Sequence, residues 1–340
     1  MKKKTIVIAE IGPNHNGSLK IAKNLIREAK KSGADYVKFQ TFITEEIIIK
    51  NAEKASYQKK NSKKNENQFH MLKNLELDFN SFVILKRYAQ KQKIKFLTTC
   101  FDSKSLKFVK KFNMDFYKIA SGEINNFPLI KDICKCAKKV ILSTGMSNYD
   151  EVKKTINFIL NNRIKKKNIV LLHCNTEYPT PFEDVNLNSM IDMSKKLKID
   201  NYGYSDHTLD DIVALSAVSL GAKYIEKHFT LNRKMKGPDH SASMEPEEFK
   251  LMVKKIRNIE KILGSKKKFV TKSEKKNRLI ARRSIVANSN IRKGEKFSLQ
   301  NLSIKRPGKG LEPKRIFSLL GKKSKKNYSI GSRINLKDIQ

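Results

Sequence analysis

Eight short β-rich runs, each followed by a stretch of helical periodicity, succeed one another between residues 5 and 230 of this 340-residue chain. They read TIVIAEIG (5–12), DYVKFQTF (35–42), IKFLTTCF (94–101), FYKIASGE (116–123), VILSTGM (140–146), IVLLHCNT (169–176), NYGYSDH (201–207) and KYIEKHFT (223–230). The intervening segments are amphipathic. In LKIAKNLIREAKKSG, Ile21, Leu25, Ile26 and Ala29 recur on one helical face, and Gly33 supplies the stop. Strand and helix alternating eight times predict a parallel sheet closed on itself, a (β/α)8 TIM barrel of class α/β.

Each run opens apolar and ends polar. The series of polar ends is Glu10, then Lys38 and Gln40, then Thr98 and Thr99, then Lys118, Ser121 and Glu123, then Ser143, then His173 and Asn175, then Ser205, Asp206 and His207, and finally Glu226 and His228. In such barrels the site forms at the C-terminal ends of the strands, so these side chains are expected to converge on one mouth. A single strand-end histidine is ordinarily a hydrogen-bonded structural one. His207 and His228, however, fall on neighbouring strands about 4.8 Å apart, close enough for two imidazoles to share one divalent cation. Glu226 is then either a ligand or a partner of water at the ion. Lys38 and Lys118 read either as ion-pair partners of Glu10 and Glu123 or as an anion clamp, with the hydroxyls of Ser121, Ser143 and the threonines alongside.

Taken together, AEIGPNHNG (9–17), DYVKFQTF, FYKIASGE, ILSTGMS, HCNTEYPTP (173–181), GYSDHT (203–208), EKHFT (226–230) and GPDHSAS (237–243) resemble the sialic acid synthase family. ARRSIVANSNIRKGEKFSLQNLSIKRPGKG (281–310) is similar to the small, mostly β antifreeze-like (SAF) module that follows the barrel in that family. The likeness runs over almost the whole chain in order. It implies condensation of phosphoenolpyruvate with N-acetylmannosamine or a related acetamido sugar, plus water, to a nonulosonic acid and phosphate. The reaction would run through a metal-activated aldehyde and C–O cleavage. N,N'-diacetyllegionaminate synthesis is the alternative within the family, and 54–77 and NTEYPTP are the stretches that bear on that choice.

Carried over position by position, the resemblance makes His207 and His228 ligands of a divalent metal, Mn²⁺ foremost with Mg²⁺ or Co²⁺ as alternatives, and Glu226 the neighbour that orients water there. Lys38, Lys118, Ser121 and Ser143, with Thr98 or Thr99, hold the phosphate and carboxylate of phosphoenolpyruvate. Glu10, Gln40, Glu123, Tyr178, Ser205 and Asp239 line the sugar and the reacting carbons, and Glu10 or Glu123 activates water. Asn175 or Thr176 touches the sugar. Arg306, in KRPGKG, is delivered by the partner subunit of a domain-exchanged homodimer to the acylamino group.

The expected organisation is a barrel over 1–264, a linker over 265–280 and the SAF module over 281–340. SKKKFVTKSEKKN reads as a lysine-rich linker without apolar period. SIVA, FSL and LSIKR read as β runs around turns at Lys293-Gly294 and Pro307-Gly308. A piece that small is expected to dock against something larger.

Composition excludes little more. The 72 Lys+Arg against 33 Asp+Glu give +39, but the lysines are spread over most predicted helices and loops without aromatic interleaving, which argues against nucleic acid as a partner. A basic nucleic-acid-binding protein stays as one rival, and a Schiff-base pyruvate lyase with Lys118 as the amine as another. The four cysteines form no paired framework, and Cys134-x-Cys136 has no second half for a zinc site. The basic start MKKKTIVIAE runs into Glu10 too soon for an export signal, and no run approaches about 20 apolar residues, so no membrane span and a cytoplasmic location are expected.

Overall fold

The computed structural model describes residues 4–61 and 66–340; positions 1–3 of the basic start and positions 62–65 within the 54–77 stretch lie outside the described residues. The chain divides into two compact units, Met1–Gly264 and Ser265–Gln340.

The first unit is a closed barrel of eight parallel strands in sequential order. They are β1 (Ile6–Glu10), β2 (Tyr36–Thr41), β3 (Lys95–Cys100), β4 (Tyr117–Ile119), β5 (Val140–Ser143), β6 (Ile169–His173), β7 (Tyr202–Asp206) and β8 (Tyr224–His228). β8 pairs with β1 from Ile6↔Tyr224 to Glu10↔His228, which closes the ring. Parallel strands under a helical layer are covered on both faces. Accordingly Val7, Ala9, Val37, Phe39, Leu142 and Ile225 are buried outward against helices, while the polar strand ends alternate inward.

The helices form where the periodicity places them. Leu19–Lys31 is capped by the Ser18 side chain, carries Lys30 and Lys31 in its last turn, and stops at Gly33, whose φ of +87° favours glycine. Its buried face is Ala22, Leu25, Ile26 and Ala29; the expected Ile21 is only half-buried, one position off the contact line. Between β7 and β8 the approach is close enough that a Cβ on Gly203 would fall 1.9 Å from the Tyr224 carbonyl oxygen. Only glycine therefore fits this seam between the two strands that carry His207 and His228.

Three expectations need correction. β4 is three residues long and ends at Ile119, because the chain turns into a 3₁₀ segment over Ser121–Glu123. In the second unit the lysine-rich stretch is not without structure: Lys272–Ala281 is a helix, opened by a capping box between Thr271 and Glu274. Of the small β runs, Ser284–Ala287 (β9) and Leu302–Lys305 (β10) pair antiparallel. FSL is not a strand: Phe297 is instead a core residue beside Ile285, Leu302, Leu319 and Tyr328.

Candidate active site

The alternation that buries Val37, Phe39, Ile225 and Lys227 outward turns Lys38, Gln40, Glu226 and His228 toward the barrel axis. Glu10, Lys38, Gln40, Thr99, Lys118, Ser121, Ser143, Tyr178, Ser205, His207, Glu226 and His228 line one cavity at the C-terminal mouth. At its floor lies a ring of alternating charge. Lys38 pairs with Glu10 and stands 3.7 Å from Glu226, which in turn pairs with Lys118. Gln40 donates to Glu10 (3.1 Å) and Ser205 to Glu226 (3.1 Å). Burial raises the Glu226 carboxyl, but the ammonium groups of Lys118 and Lys38 outweigh it and hold its pKa down to about 2. For Glu10 burial wins over Lys38, with Glu226 adding repulsion, and the carboxyl is pushed up to about 7. Two buried carboxylates of one ring thus differ in proton affinity, which separates a fixed counter-ion from a proton acceptor.

Beside the ring stand the two imidazoles, ring centroids 5.3 Å apart. Both are buried and driven toward the neutral form by desolvation, His207 to about 3 and His228 well below the usual imidazole range. His207 Nδ1 donates to the Asn175 carbonyl, so its lone pair is on Nε2, where Tyr178 Oη lies at 3.2 Å. His228 Nδ1 is buried without a hydrogen bond and sits 3.5 Å from a carboxylate oxygen of Asp239. Neutral imidazoles with second-nitrogen partners of this kind are the form that ligates divalent metals. Among the described residues no three His, Cys, Asp or Glu side chains converge as a metal cage, so two imidazoles are what the protein offers.

On the far side of the cavity the hydroxyls gather. Ser121 Oγ accepts from the Gly145 amide (3.0 Å), and a Cβ at Gly145 would come within 2.9 Å of that oxygen, so glycine lets the β5 turn reach the serine. Ser143 Oγ is buried without a hydrogen-bond partner and lines the cavity.

Six of the sequence-derived residues do not take the expected place, among them His173, which bonds the Val185 carbonyl, and Asp206, which pairs outward with Lys227. Glu123 is outside the cavity lining: the 3₁₀ turn after β4 carries it away, and it accepts from Asn126 (2.7 Å). Thr98 faces the other side of β3, hydrogen-bonded to Thr41 (2.6 Å), because only one of two consecutive strand residues can point inward; Thr99 does. Asn175 contributes its carbonyl, whereas its side chain caps the turn at Glu177 and Thr176 lines the cavity. Asp239 lies behind His228 rather than on the surface of the cavity, its carboxyl pushed up to about 7 by burial and by Glu10. Arg306 is exposed at the end of β10 in the second unit.

Several lining residues were not anticipated: Tyr57, Gln58 and Gln68 from the segment after β2, with Phe101, Met146 and Cys174. Phe101, Met146 and Cys174 sit at or just past strand ends and were open to the same reading. Tyr57 and Gln58 lie in a stretch singled out for the acceptor, but no local period marks which of its residues would face the site.

A (β/α)8 barrel whose mouth joins an ammonium pair, two buried carboxyls of unequal proton affinity and two neutral imidazoles has the layout of an enzyme's site. The chain belongs to the NeuB family: that family's model matches residues 25–268, and a SAF domain matches residues 282–340. It is 48% identical to the N,N'-diacetyllegionaminic acid synthase of Campylobacter jejuni over 96% of this chain and 97% of that one. It is 40% identical to the N,N'-diacetyllegionaminic acid synthase of Legionella pneumophila over 96% and 92%. Among solved structures it is similar to an N-acetylneuraminic acid synthetase of Leptospira borgpetersenii crystallised with citrate, at a TM-score of 0.71 and 31% identity, covering 81% of this chain and 90% of that one. Among the described residues no helix is long and apolar enough to cross a membrane.

Proposed function

We propose that this enzyme condenses phosphoenolpyruvate with 2,4-diacetamido-2,4,6-trideoxymannose and water, giving N,N'-diacetyllegionaminic acid and phosphate. The observation that carries the reading is the pairing, in one cavity, of the Lys38/Lys118 ammonium clamp with the neutral imidazoles of His207 and His228. The choice of acceptor rests on the two legionaminic acid synthases, which at 48% and 40% identity stand nearer than the sialic acid synthetase structure at 31%.

In this reading Lys38 and Lys118 hold the phosphate and carboxylate of phosphoenolpyruvate, and Ser121, Ser143 and Thr99 donate to their oxygens. His207 and His228 would hold a divalent cation, Mn²⁺ foremost. When bound, that cation supplies Lewis-acid polarisation of the acceptor's aldehyde. Carbon 3 of phosphoenolpyruvate attacks the aldehyde carbon, carbon 2 takes up water, and phosphate leaves by C–O cleavage. Glu10, whose raised pKa suits it to exchange protons near neutrality, receives the proton of that water. Glu226 stays ionised and fixes both ammonium groups and Ser205. Tyr178 and Asp239 orient the two imidazoles. Arg306, delivered by the partner subunit of a domain-exchanged homodimer, binds the acylamino group.

The test is phosphate release from phosphoenolpyruvate with Mn²⁺, comparing 2,4-diacetamido-2,4,6-trideoxymannose with N-acetylmannosamine, each with and without EDTA. Release that requires metal and prefers the first sugar is expected. Preference for N-acetylmannosamine would make the product N-acetylneuraminate, and full turnover in EDTA would refute the metal role.

A further inference from the structure

One segment of the site cavity comes from outside the barrel. After β2 the chain leaves the sheet, and helix Ser56–Asn61 returns over the mouth to place Tyr57 and Gln58 in the cavity lining. Two contacts hold it there. Asn61 Nδ2 donates to the Pro238 carbonyl (3.1 Å) and to Ser241 Oγ (3.0 Å), in the loop after β8 that also carries Asp239. The Tyr57 ring packs on Tyr178 with centroids 4.9 Å apart and planes 30° apart. Tyr178 is in turn stacked on His207 at 4.1 Å and edge-on to His228 at 5.3 Å. An aromatic wall therefore rises from the two imidazoles, Tyr178 first and Tyr57 beyond it.

That order has a chemical consequence, resting on the reading given under Proposed function. The acceptor's carbonyl carbon must lie at the imidazoles and next to phosphoenolpyruvate, so the rest of the sugar extends away from the lysine clamp. The groups that distinguish candidate acceptors, at carbons 4 and 6, are then the ones that reach Tyr57. An aromatic face favours C–H groups and methyls and offers no hydrogen bond to a hydroxyl lying flat on it. The Tyr57 hydroxyl is engaged at the ring edge by Gln58 Nε2 (3.3 Å). A 6-deoxy carbon and an acetamido methyl suit this wall; the two hydroxyls that N-acetylmannosamine carries instead do not.

We infer that Tyr57 is a specificity-determining residue, selecting acceptors with a terminal methyl and a 4-acetamido group over their hydroxylated counterparts. The experiment measures kcat/KM for both sugars and KM for phosphoenolpyruvate in the wild type, Tyr57→Phe, Tyr57→Leu and Tyr57→Ala. Tyr57→Phe should keep the wild-type preference. Tyr57→Ala should lower kcat/KM for the trideoxy sugar about tenfold, the worth of roughly one buried methyl group. N-acetylmannosamine should change less than about threefold, with KM for phosphoenolpyruvate unmoved. Tyr57→Leu, which keeps bulk without a ring, should fall between and serves if the alanine variant does not fold. Equal losses for both sugars, or a shift in KM for phosphoenolpyruvate as large as that for the acceptor, would overturn the inference and leave Tyr57 as packing. A wild type that turns over neither sugar would instead sink the functional reading beneath it, and the inference with it.

Discussion

Lys227 tests whether the scaffold behind the imidazoles is electrostatic or merely apolar. It lies between Glu226 and His228 on β8 but points outward, and both it and Asp206, its register neighbour on β7, are wholly excluded from solvent. Its ammonium group donates to Asp206 Oδ2 (2.9 Å), the Thr208 carbonyl (2.6 Å), Thr208 Oγ1 (3.3 Å) and the Asp210 carbonyl (2.8 Å). Asp206 Oδ1 also accepts from the Thr208 amide (2.9 Å) and hydroxyl (2.8 Å), so one ion pair ties β7, β8 and the turn just past His207. Lys227→Met keeps the length of the stem and removes the charge, leaving a buried carboxylate and two carbonyls short of a donor. Breaking a buried pair from one side costs about 3–5 kcal/mol. For a unit of this size that corresponds to a fall of about 6–20 °C in the barrel's melting temperature. The double variant Asp206→Asn/Lys227→Met removes both charges and should recover most of the loss, since a neutral replacement of a whole buried pair is often harmless. The assay is thermal unfolding of the full chain followed by near-ultraviolet circular dichroism. A single variant that melts within about 3 °C of wild type would refute the argument, because it would mean that Asp206 finds solvent or another cation without Lys227.

Three further outcomes are expected. If both imidazoles hold the cation as proposed, His207→Ala or His228→Ala should reduce turnover by more than about 100-fold and abolish tight Mn²⁺ binding in electron paramagnetic resonance, with melting little changed; retained Mn²⁺ affinity would exclude the imidazoles as ligands. Glu10 must be ionised to take a proton, and its pKa is raised to about 7, so kcat/KM should climb tenfold per pH unit below about 7 and level off above; Glu10→Gln should flatten that limb while lowering turnover about 10²- to 10⁴-fold, and a persistent limb in the variant would assign it elsewhere. Arg306→Ala should raise KM for the acceptor and leave KM for phosphoenolpyruvate nearly unchanged; equal effects on both would contradict a role at the acylamino group.

The barrel and most of its mouth were legible because one physical rule governs both. A strand has a side-chain period of two, so once a polar end is seen, Lys38 with Gln40 or Glu226 with His228 must share a face. The rule fails where its input is ambiguous. Thr98 and Thr99 are chemically identical, and only the pairing of Thr99 with Lys118 across β3 and β4 fixes which is inward. Glu123 was assigned to the mouth on the assumption that β4 runs its full eight residues, whereas Ala120-Ser121-Gly122 bends away after three. The Thr271-x-x-Glu274 start signals the helix at Lys272–Ala281, but the charge density of the stretch masks it. Tyr57 was out of reach for a different reason. Its position is set by contacts between residues 180 apart, Asn61 with Ser241, and no local pattern encodes such a contact.

The same alternation explains how a polyanion could enter a floor that is already neutralised. Before substrate arrives, Lys38 and Lys118 are each paired, and Lys38 is held above its usual range because the fields of Glu10 and Glu226 outweigh its burial. A phosphate and a carboxylate approaching these ammonium groups add negative charge to a ring with two carboxylates in it, which is favourable only if one carboxylate gives way. Glu226 is the poorer candidate, because Lys118, Lys38 and Ser205 all stabilise its anion. Glu10 is the better one, because its anion is held less strongly, so its pair with Lys38 is the contact that opens toward the incoming oxygens while Gln40 keeps the carboxylate in place. The unequal stabilisation of two carboxylates on neighbouring strands thus leaves Glu226 fixed on its ammonium partners while the Glu10–Lys38 pair opens to the substrate.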